Sequence, residues 1–186
     1  MADGVIDTCC LINLLAVGGL RDWLPLLGLR WHVPSAVMGE ALFLRATDEA
    51  GKQVKEAVDL RPLVADGVLN VCDIESTEET ALYVRLAADL DDGEAMALTL
   101  AKCRNWLLAT DDRKGRRLAA ELAVPVLTTP ELMKRWADAG SPAPGDLAAA
   151  LCRIQEFARF RPADDFPLHD WWRQNGRLAP EGLSAS

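Results

Sequence analysis

The sequence lacks the features that mark membrane, secreted and zinc-binding proteins. No apolar run reaches the ~18 residues of a membrane-spanning helix, and the N-terminus, MADGVIDTCC, has no basic segment followed by an apolar one, so no signal peptide is predicted. The 5 cysteines include no C-x-x-C pair, which argues against a disulfide framework and against a zinc site. We therefore expect a cytoplasmic protein in which the cysteines are small apolar packing residues.

Histidine and positive charge are also scarce. His32 and His169 are the only 2 histidines, and each is better explained as a partly buried structural residue than as a base. The chain has 20 Lys and Arg against 28 Asp and Glu, which gives a formal net charge of -8. Because phosphate groups are bound by Lys and Arg, this charge taken alone argues against a nucleic-acid partner.

The pattern of apolar residues indicates an α/β protein. The chain has 186 residues, 50% hydrophobic and 26% charged, which suits one compact domain with a core of useful size. Short apolar runs alternate with longer helical ones, a pattern typical of a mostly parallel sheet. Strands are predicted over residues 4–6, 68–72, 106–109 and 125–127, and residues 30–33 are interpreted as a short strand or a loop.

Helix signals lie between these strands. A first helix is predicted over residues 9–16, Ser35 is a good N-cap for a helix that runs to residue 45, and residues 48–59 are interpreted as a more polar helix. Further helices are predicted over 76–88, 91–102 and 114–122 and from residue 129, the first two opened by capping boxes.

One segment rich in Pro and Gly, GSPAPG at residues 140–145, interrupts the chain. It separates a predicted domain over residues 1–140 from a C-terminal extension over residues 141–186, in which residues 146–160 have helical periodicity. The Arg and aromatic residues of the extension fit two interpretations. They would form an RNA-binding platform, or a helix that packs on the core or contacts another chain; the ordinary amphipathic spacing favours the second.

Acidic residues follow predicted strands and begin predicted helices. Asp7 follows the first strand, Asp111 and Asp112 follow a later strand, and Glu94 lies in the first turn of a helix. Since the carboxyl ends of parallel strands border the functional crevice of such a sheet, these side chains are expected to lie close together. Each also has a structural explanation, because Asp is a good N-cap and Glu94 fits a capping box.

Glu40 has no such structural explanation. With Ser35 as N-cap it lies at about the fifth helical position, beyond the capping turn, and its neighbours Val37 and Leu44 indicate the buried face. Two unit charges about 4 Å apart repel by about 4 kcal/mol at an effective dielectric of about 20, so a cluster of these carboxylates requires a cation. Mg²⁺ or Mn²⁺ fits this requirement, because both bind carboxylate and water oxygens and bridge to phosphate.

Four segments occur in the order and spacing of a known family: VIDTCCLINLL, VPSAVMGEAL, LDDGEAMALTLA and LLATDDRKGRRLAAELAVPVLTT. Over residues 3–138 the sequence resembles a PIN domain, in particular the bacterial and archaeal subgroup whose third acidic motif reads D-x-G-E. The resemblance implies a three-layer α/β/α fold with a mostly parallel central sheet, followed here by the helical C-terminal extension. It also implies a metal-dependent ribonuclease, related to the toxins of toxin–antitoxin pairs.

The resemblance also implies the residues of the site. Carried over by motif, the catalytic carboxylates are Asp7, Glu40, Glu94 and Asp112. The ligands of Mg²⁺ or Mn²⁺ are then Asp7, Glu94 and one or both of the adjacent pair, Asp111 and Asp112. We rank Asp112 ahead as the ligand and expect the other aspartate to cap the following helix.

Neighbouring residues complete the predicted site. Thr8 and Thr110 match small polar positions that hold a ligand or a water in the family. Arg113, Lys114 and Arg117 are weak candidates for RNA binding, and a solvated amphipathic helix explains them at least as well. The implied substrate is single-stranded RNA; an antitoxin protein and a second copy of the chain are further partners that the resemblance leaves open, and no membrane partner is expected.

Two other functions stay open from the sequence. A receiver-like or haloacid-dehalogenase-like phosphoryl-transfer fold also has Asp at strand ends, but it needs a Lys at a later strand end, where this chain has Thr128 and Thr129. A catalytically inactive PIN scaffold that binds nucleic acid or protein would keep the acidic residues as helix caps. Metal binding separates the scaffold from the nuclease.

Overall fold

The computed structural model describes residues 1–40, 42–47 and 51–177. The strands in these residues are β1 (Ala2–Ile6), β2 (Leu29–Pro34), β3 (Phe43–Thr47), β4 (Gln53–Ala57), β5 (Asn70–Cys72), β6 (Leu107–Ala109) and β7 (Val126–Leu127). Five of them form one sheet in the order β5-β2-β1-β6-β7, and every neighbouring pair is parallel. The predicted parallel sheet is therefore confirmed.

Helices cover both faces of this sheet. In chain order they are α1 (Thr8–Val17), α2 (Leu20–Trp23), a 3-10 turn (Leu24–Leu27), α3 (Ser35–Gly39), α4 (Arg61–Ala65), α5 (Thr77–Leu86), α6 (Asp92–Arg104), α7 (Arg113–Glu121), α8 (Thr129–Gly140), α9 (Pro144–Arg153), a π-helical segment (Ile154–Ala158) and α10 (His169–Gly176). Ile6 belongs to a buried cluster with α1, α8 and α9, and its neighbour Val5 belongs to a second cluster with α5, α6 and α7. The three-layer α/β/α fold is confirmed.

The length and composition of the helices bear on whether one of them could span a membrane. Among the described residues no single helix is long and apolar enough to cross a bilayer. The segments Thr8–Val17 and Leu20–Leu27 have the required composition only when taken together, and they are bent by 102° at the break between them.

Local capping interactions begin the helices where the sequence predicts them. The Ser76 hydroxyl accepts a hydrogen bond from the Glu79 N–H at 3.1 Å, and the Glu79 carboxylate accepts one from the Ser76 N–H at 3.2 Å. Asp91 caps α6 by accepting a bond from the Glu94 N–H at 2.8 Å. These bonds join residues three apart, which is why the sequence alone predicts them.

The segment after β2 differs from the prediction. The helix expected to reach residue 45 ends at Gly39, and Glu40 already has an extended backbone with φ -76° and ψ 146°. The polar helix predicted over 48–59 is also wrong where it can be compared: Gln53–Ala57 is a strand paired antiparallel with β3, while residues 48–50 lie outside the described residues. Cross-strand pairs such as Phe43 with Ala57 stabilise this hairpin, and no local periodicity reveals them.

The C-terminal extension packs on the face of the sheet that carries α1. Leu151 and Ile154 are fully buried in the same apolar cluster as Leu11, and Trp172 of α10 also belongs to it. The residues described after 140 therefore share a core with those before it, and most of the aromatic rings of the extension are used in packing. The position of a domain boundary at residue 140 stays a prediction.

Candidate functional site

The strand order defines a crevice between β1 and β6. The first strand lies in the centre of the sheet, and the chain adds β2 and β5 on one side and β6 and β7 on the other. Ligands bind such sheets outside the carboxyl ends of the strands at this switch point. Ile6 pairs with Ala109 in the register of β1 and β6, so Asp7 and the segment Thr110–Asp112 emerge side by side. We call this place the acid crevice.

Asp7 lies at the base of the acid crevice and is 1% exposed. Its Oδ1 accepts a hydrogen bond from the Cys10 N–H at 2.8 Å, which caps α1, and its Oδ2 accepts one from the Thr110 hydroxyl. Burial raises the pKa of Asp7 to about 7, although the bonds from Thr110, Cys10 and the Cys9 thiol oppose the change. A bound cation would restore the charged form that burial disfavours.

Asp111 is held by three protein donors. Its Oδ1 accepts a bond from the Thr129 N–H at 2.8 Å, and its Oδ2 accepts one from Asn13 Nδ2 at 2.9 Å and another from the Thr129 hydroxyl. Burial raises the pKa of Asp111 and these donors lower it. Asp111 thereby connects β6 to α1 and to the start of α8.

Asn13 and Thr129 belong to the site although the sequence analysis did not assign them to it. Two signals were available. Asn13 is an amide within the apolar run TCCLINLLAV, and Thr129 comes two residues after the end of β7, a third strand whose carboxyl end borders the same edge of the sheet. Both side chains are buried, and both bond Asp111.

Asp112 caps α7 and is linked to Asp7. Its Oδ1 accepts a bond from the Gly115 N–H at 2.6 Å. The Thr110 hydroxyl connects the Asp7 carboxylate to the backbone of Asp112, because it donates to Asp7 and accepts a bond from the Asp112 N–H at 3.2 Å. We expected the ligand and the cap to be different aspartates; the residue that caps is Asp112, the one ranked ahead as the ligand.

Glu94 points its charge at the other acidic residues of the acid crevice. Asp91 supplies the cap of α6, so the Glu94 carboxylate is not needed for that role. Burial raises the pKa of Glu94 to about 7, and the charges of Asp112, Asp91 and Glu40 add to this effect. The carboxylates of Glu40, Asp91 and Asp112 are therefore near enough to Glu94 to act on its charge.

Glu40 reaches the acid crevice by a route different from the predicted one. It is an exposed residue at the end of α3, not a mid-helix residue on a buried face. A Cβ added to Gly93 would lie 2.6 Å from Glu40 Oε1 and 3.0 Å from the Thr8 hydroxyl, so the missing side chain at Gly93 makes room for both groups. Partial burial raises the pKa of Glu40, and the adjacent Thr8 hydroxyl lowers it.

The predicted acidic residues thus form an inner pair, Asp7 and Asp111, and an outer group, Glu40, Glu94 and Asp112, joined through Thr110. Among the described residues, no three His, Cys, Asp or Glu side chains are arranged to hold a metal ion directly. The chemistry of the donors still fits a hard divalent cation. They are all oxygens, burial raises the pKa of Asp7 and of Glu94, and the buried Thr8 hydroxyl has no hydrogen-bond partner of standard geometry in the described chain.

The predicted RNA-binding residues of α7 are partly engaged elsewhere. Lys114 Nζ lies 2.8 Å from Asp89 Oδ1, and Arg117 lies 3.8 Å from Glu121. Arg113 is exposed, and no ion pair involves it within the described residues. Of the three, Arg113 is the most available to a ligand.

Comparison with known proteins identifies the family. A family model described as a PIN domain matches residues 3–165, which include every residue of the acid crevice and the start of the extension. No curated protein and no solved structure matches the chain significantly. PIN domains are generally nucleases and typically use divalent metals, while the D-x-G-E subgroup stays a prediction for this chain. With its parallel sheet, its acid crevice and a match over most of its length, this chain belongs to the PIN-domain family.

Proposed function

We propose that this PIN domain is a metal-dependent endoribonuclease that hydrolyses phosphodiester bonds in single-stranded RNA. One observation carries the proposal: the Glu94 carboxylate is partly buried beside other acidic groups, so that burial, and after it the charges of Asp112, Asp91 and Glu40, raise its pKa to about 7. Helix capping does not require this convergence, because Asp91 already caps α6. A site for a cation and a phosphate does require it.

The roles of the residues that would bind the metal and the attacking water follow from their surroundings. Asp7, Glu94 and Asp112 would hold Mg²⁺ or Mn²⁺, which when bound supplies Lewis-acid activation of water and neutralises charge on the phosphate. Thr110 keeps Asp7 and Asp112 in place, because its hydroxyl bonds both. Glu40 is exposed and has a raised pKa, so we assign it the acceptance of a proton from the attacking water.

Asp111 has a different role in this proposal. Both of its oxygens accept hydrogen bonds from Asn13 and Thr129, so we assign it the positioning of β6 against α1 and α8. Thr8 faces Glu40 with a buried hydroxyl and would hold a water or a ligand oxygen.

The cellular partners belong to the same proposal. Single-stranded RNA is the substrate, and the toxin of a toxin–antitoxin pair is a role that such an activity would serve, with an antitoxin protein as inhibitor. A second copy of the chain is a further partner. The alternative is an inactive scaffold. The helix caps at Asp7 and Asp112 favour it, because both carboxylates already have a structural role.

Two isosteric variants test the nuclease. Glu94→Gln removes a charge that caps nothing, and Asp112→Asn keeps the cap of α7, because Asn is as good an N-cap as Asp. Each should reduce Mn²⁺-dependent cleavage of a labelled single-stranded RNA by at least about 100-fold, the upper end of the loss seen on removing residues behind metal ligands. The matched control is Glu78→Gln, the same change at an exposed position of α5, which should cleave like the wild type.

The outcomes separate the two functions. Cleavage by the wild type in chelator, or undiminished cleavage by Glu94→Gln, contradicts the proposal. A rise in melting temperature with millimolar Mn²⁺ without any cleavage supports the scaffold with an intact ion site. If Mn²⁺ neither stabilises the protein nor supports cleavage, the result favours a scaffold whose acidic residues act only as caps.

A further inference from the structure

A recess adjoins the acid crevice on the side of the C-terminal extension. Its volume is about 230 Å³, and it is lined by Cys9 and Asn13 from α1, by Asp111, and by Arg159 and Phe160. The recess and the inner carboxylates therefore share the Asp111 side chain and the first turns of α1. The recess and the acid crevice are therefore neighbours.

Arg159 supplies a cation at the edge of this recess. The residue is exposed, and no ion pair involves it within the described parts of the chain. Its backbone is in the left-handed region, with φ 59° and ψ 24°, at the end of the π-helical segment. Glycine adopts this conformation at the lowest energetic cost, so the end of the helical segment would favour glycine over arginine at this position.

Phe160 is held rigidly on the same side. Its ring makes edge-to-face contacts with Phe166 and Trp172, each at a centroid distance of 5.8 Å. The Arg116 guanidinium of α7 lies 4.1 Å from the centre of the Phe166 ring, which fastens the extension to the helix that begins at Asp112. The wall of the recess is therefore preorganised by packing on both sides.

We propose that the recess is a substrate subsite that binds a nucleotide next to the scissile phosphate, with Arg159 on its phosphate and Phe160 against its base. The inference rests on the proposed function, from which it takes single-stranded RNA as the ligand. The remaining polar groups of the recess are a carboxylate, a thiol and an amide, so a phosphate entering it needs the Arg159 charge. Arg binds phosphate by charge-assisted hydrogen bonds, and aromatic rings accept any base by stacking.

The test is the affinity for a fluorescein-labelled single-stranded RNA of ten nucleotides, measured by anisotropy in the Glu94→Gln protein with Mg²⁺. Arg159→Ala should weaken binding about fivefold, the effect of one exposed ion pair. It should also reduce the slope of log Kd against log salt concentration by about 0.7, as expected for one lost phosphate contact on a single strand. Arg159→Lys should restore most of the affinity, and Phe160→Leu should weaken binding without changing the slope.

Two further variants distinguish a substrate contact from a structural role. Arg85→Ala removes an exposed arginine from α5, in the layer on the opposite face of the sheet, and should leave both affinity and slope unchanged. Arg159→Gly relieves the left-handed backbone, so it should raise the melting temperature while it weakens RNA binding. If Arg159 had only a structural role, Arg159→Gly would change the melting temperature and the RNA affinity in the same direction, or it would change the melting temperature alone.

The inference and the proposed function fail separately. If the wild type cleaves RNA but Arg159→Ala binds and cleaves like it, the subsite is refuted and the nuclease stands. If Arg159→Ala binds RNA more weakly with the reduced slope while the wild type cleaves nothing, the subsite stands and the nuclease is refuted. If the protein does not bind the RNA at all, the subsite is refuted.

Discussion

Replacement of Asp7 by Asn should stabilise the metal-free protein, although Asp7 is a helix cap. The side chain is 1% exposed, and burial raises its pKa from the ordinary 3.8 to about 7. At about 1.36 kcal/mol for each pKa unit, the difference corresponds to about 4 kcal/mol of the free energy of unfolding. We expect Asp7→Asn to recover about 1 to 3 kcal/mol of it, since the new amide must exchange donor and acceptor roles with Thr110.

The size of this effect depends on pH in a defined way. The native state holds the Asp7 proton more tightly than the unfolded chain, so it binds more protons between pH 3.8 and about 7. The contribution of Asp7 to stability is therefore lost progressively as the pH rises through this window. Asn has no proton to lose, so the advantage of Asp7→Asn should be small near pH 4, grow up to pH 7 and stay constant above it.

Urea unfolding in chelator at several pH values between 4 and 8 measures this difference. The comparison of the two proteins at each pH isolates Asp7 from the other carboxylates, which titrate in both. Added Mn²⁺ at pH 8 should narrow or reverse the difference, because the ion binds the folded wild type more tightly. A difference that is the same at pH 5 and pH 8, or a variant less stable than the wild type at pH 8, would refute the reasoning.

Two further predictions concern the groups that hold the acid crevice together. Thr110→Val should lower the free energy of unfolding by about 1 to 3 kcal/mol, because it leaves the buried Asp7 carboxylate without its hydroxyl donor. Thr110→Ser keeps the hydroxyl and should lower it less. Equal losses for the two variants in urea unfolding would contradict this prediction. Gly93→Ala should displace Glu40, whose Oε1 would lie 2.6 Å from the new Cβ, and should reduce metal-dependent cleavage about tenfold. The new Cβ would also lie 3.2 Å from the buried Val37 side chain, so the free energy of unfolding should fall as well. Cleavage at the wild-type rate would show that Glu40 does not need that position.

The features that the sequence predicts well are local ones. The caps at Ser76 and Asp91 and the acidic residues directly after β1 and β6 follow from neighbours along the chain. Alternation of apolar strands and amphipathic helices then predicts a parallel sheet, and a parallel sheet brings the strand ends to one edge. The candidate carboxylates were accessible by this reasoning before any contact was known.

The features that the sequence does not reveal are contacts between distant segments. The hairpin of β3 and β4 occupies the end of one predicted helix and the described part of another, because its stability comes from cross-strand pairs and not from the periodicity of either segment. For the same reason Glu40 was placed in the wrong element, although its carboxylate does reach Gly93.

The sequence by itself determined the fold class, the helix caps at Ser76 and Asp91 and the candidate acidic residues, because these depend on residue type and on spacings of a few residues. Only the tertiary structure decided what each acid contacts: Asp111 with Asn13 and Thr129, and Asp7 with Thr110. It also decided that Arg159, from the extension, lines the same recess as Asp111. The physical reason is that burial, charge coupling and pocket shape arise from groups far apart in the chain, which come together only when the sheet and its two helical layers form.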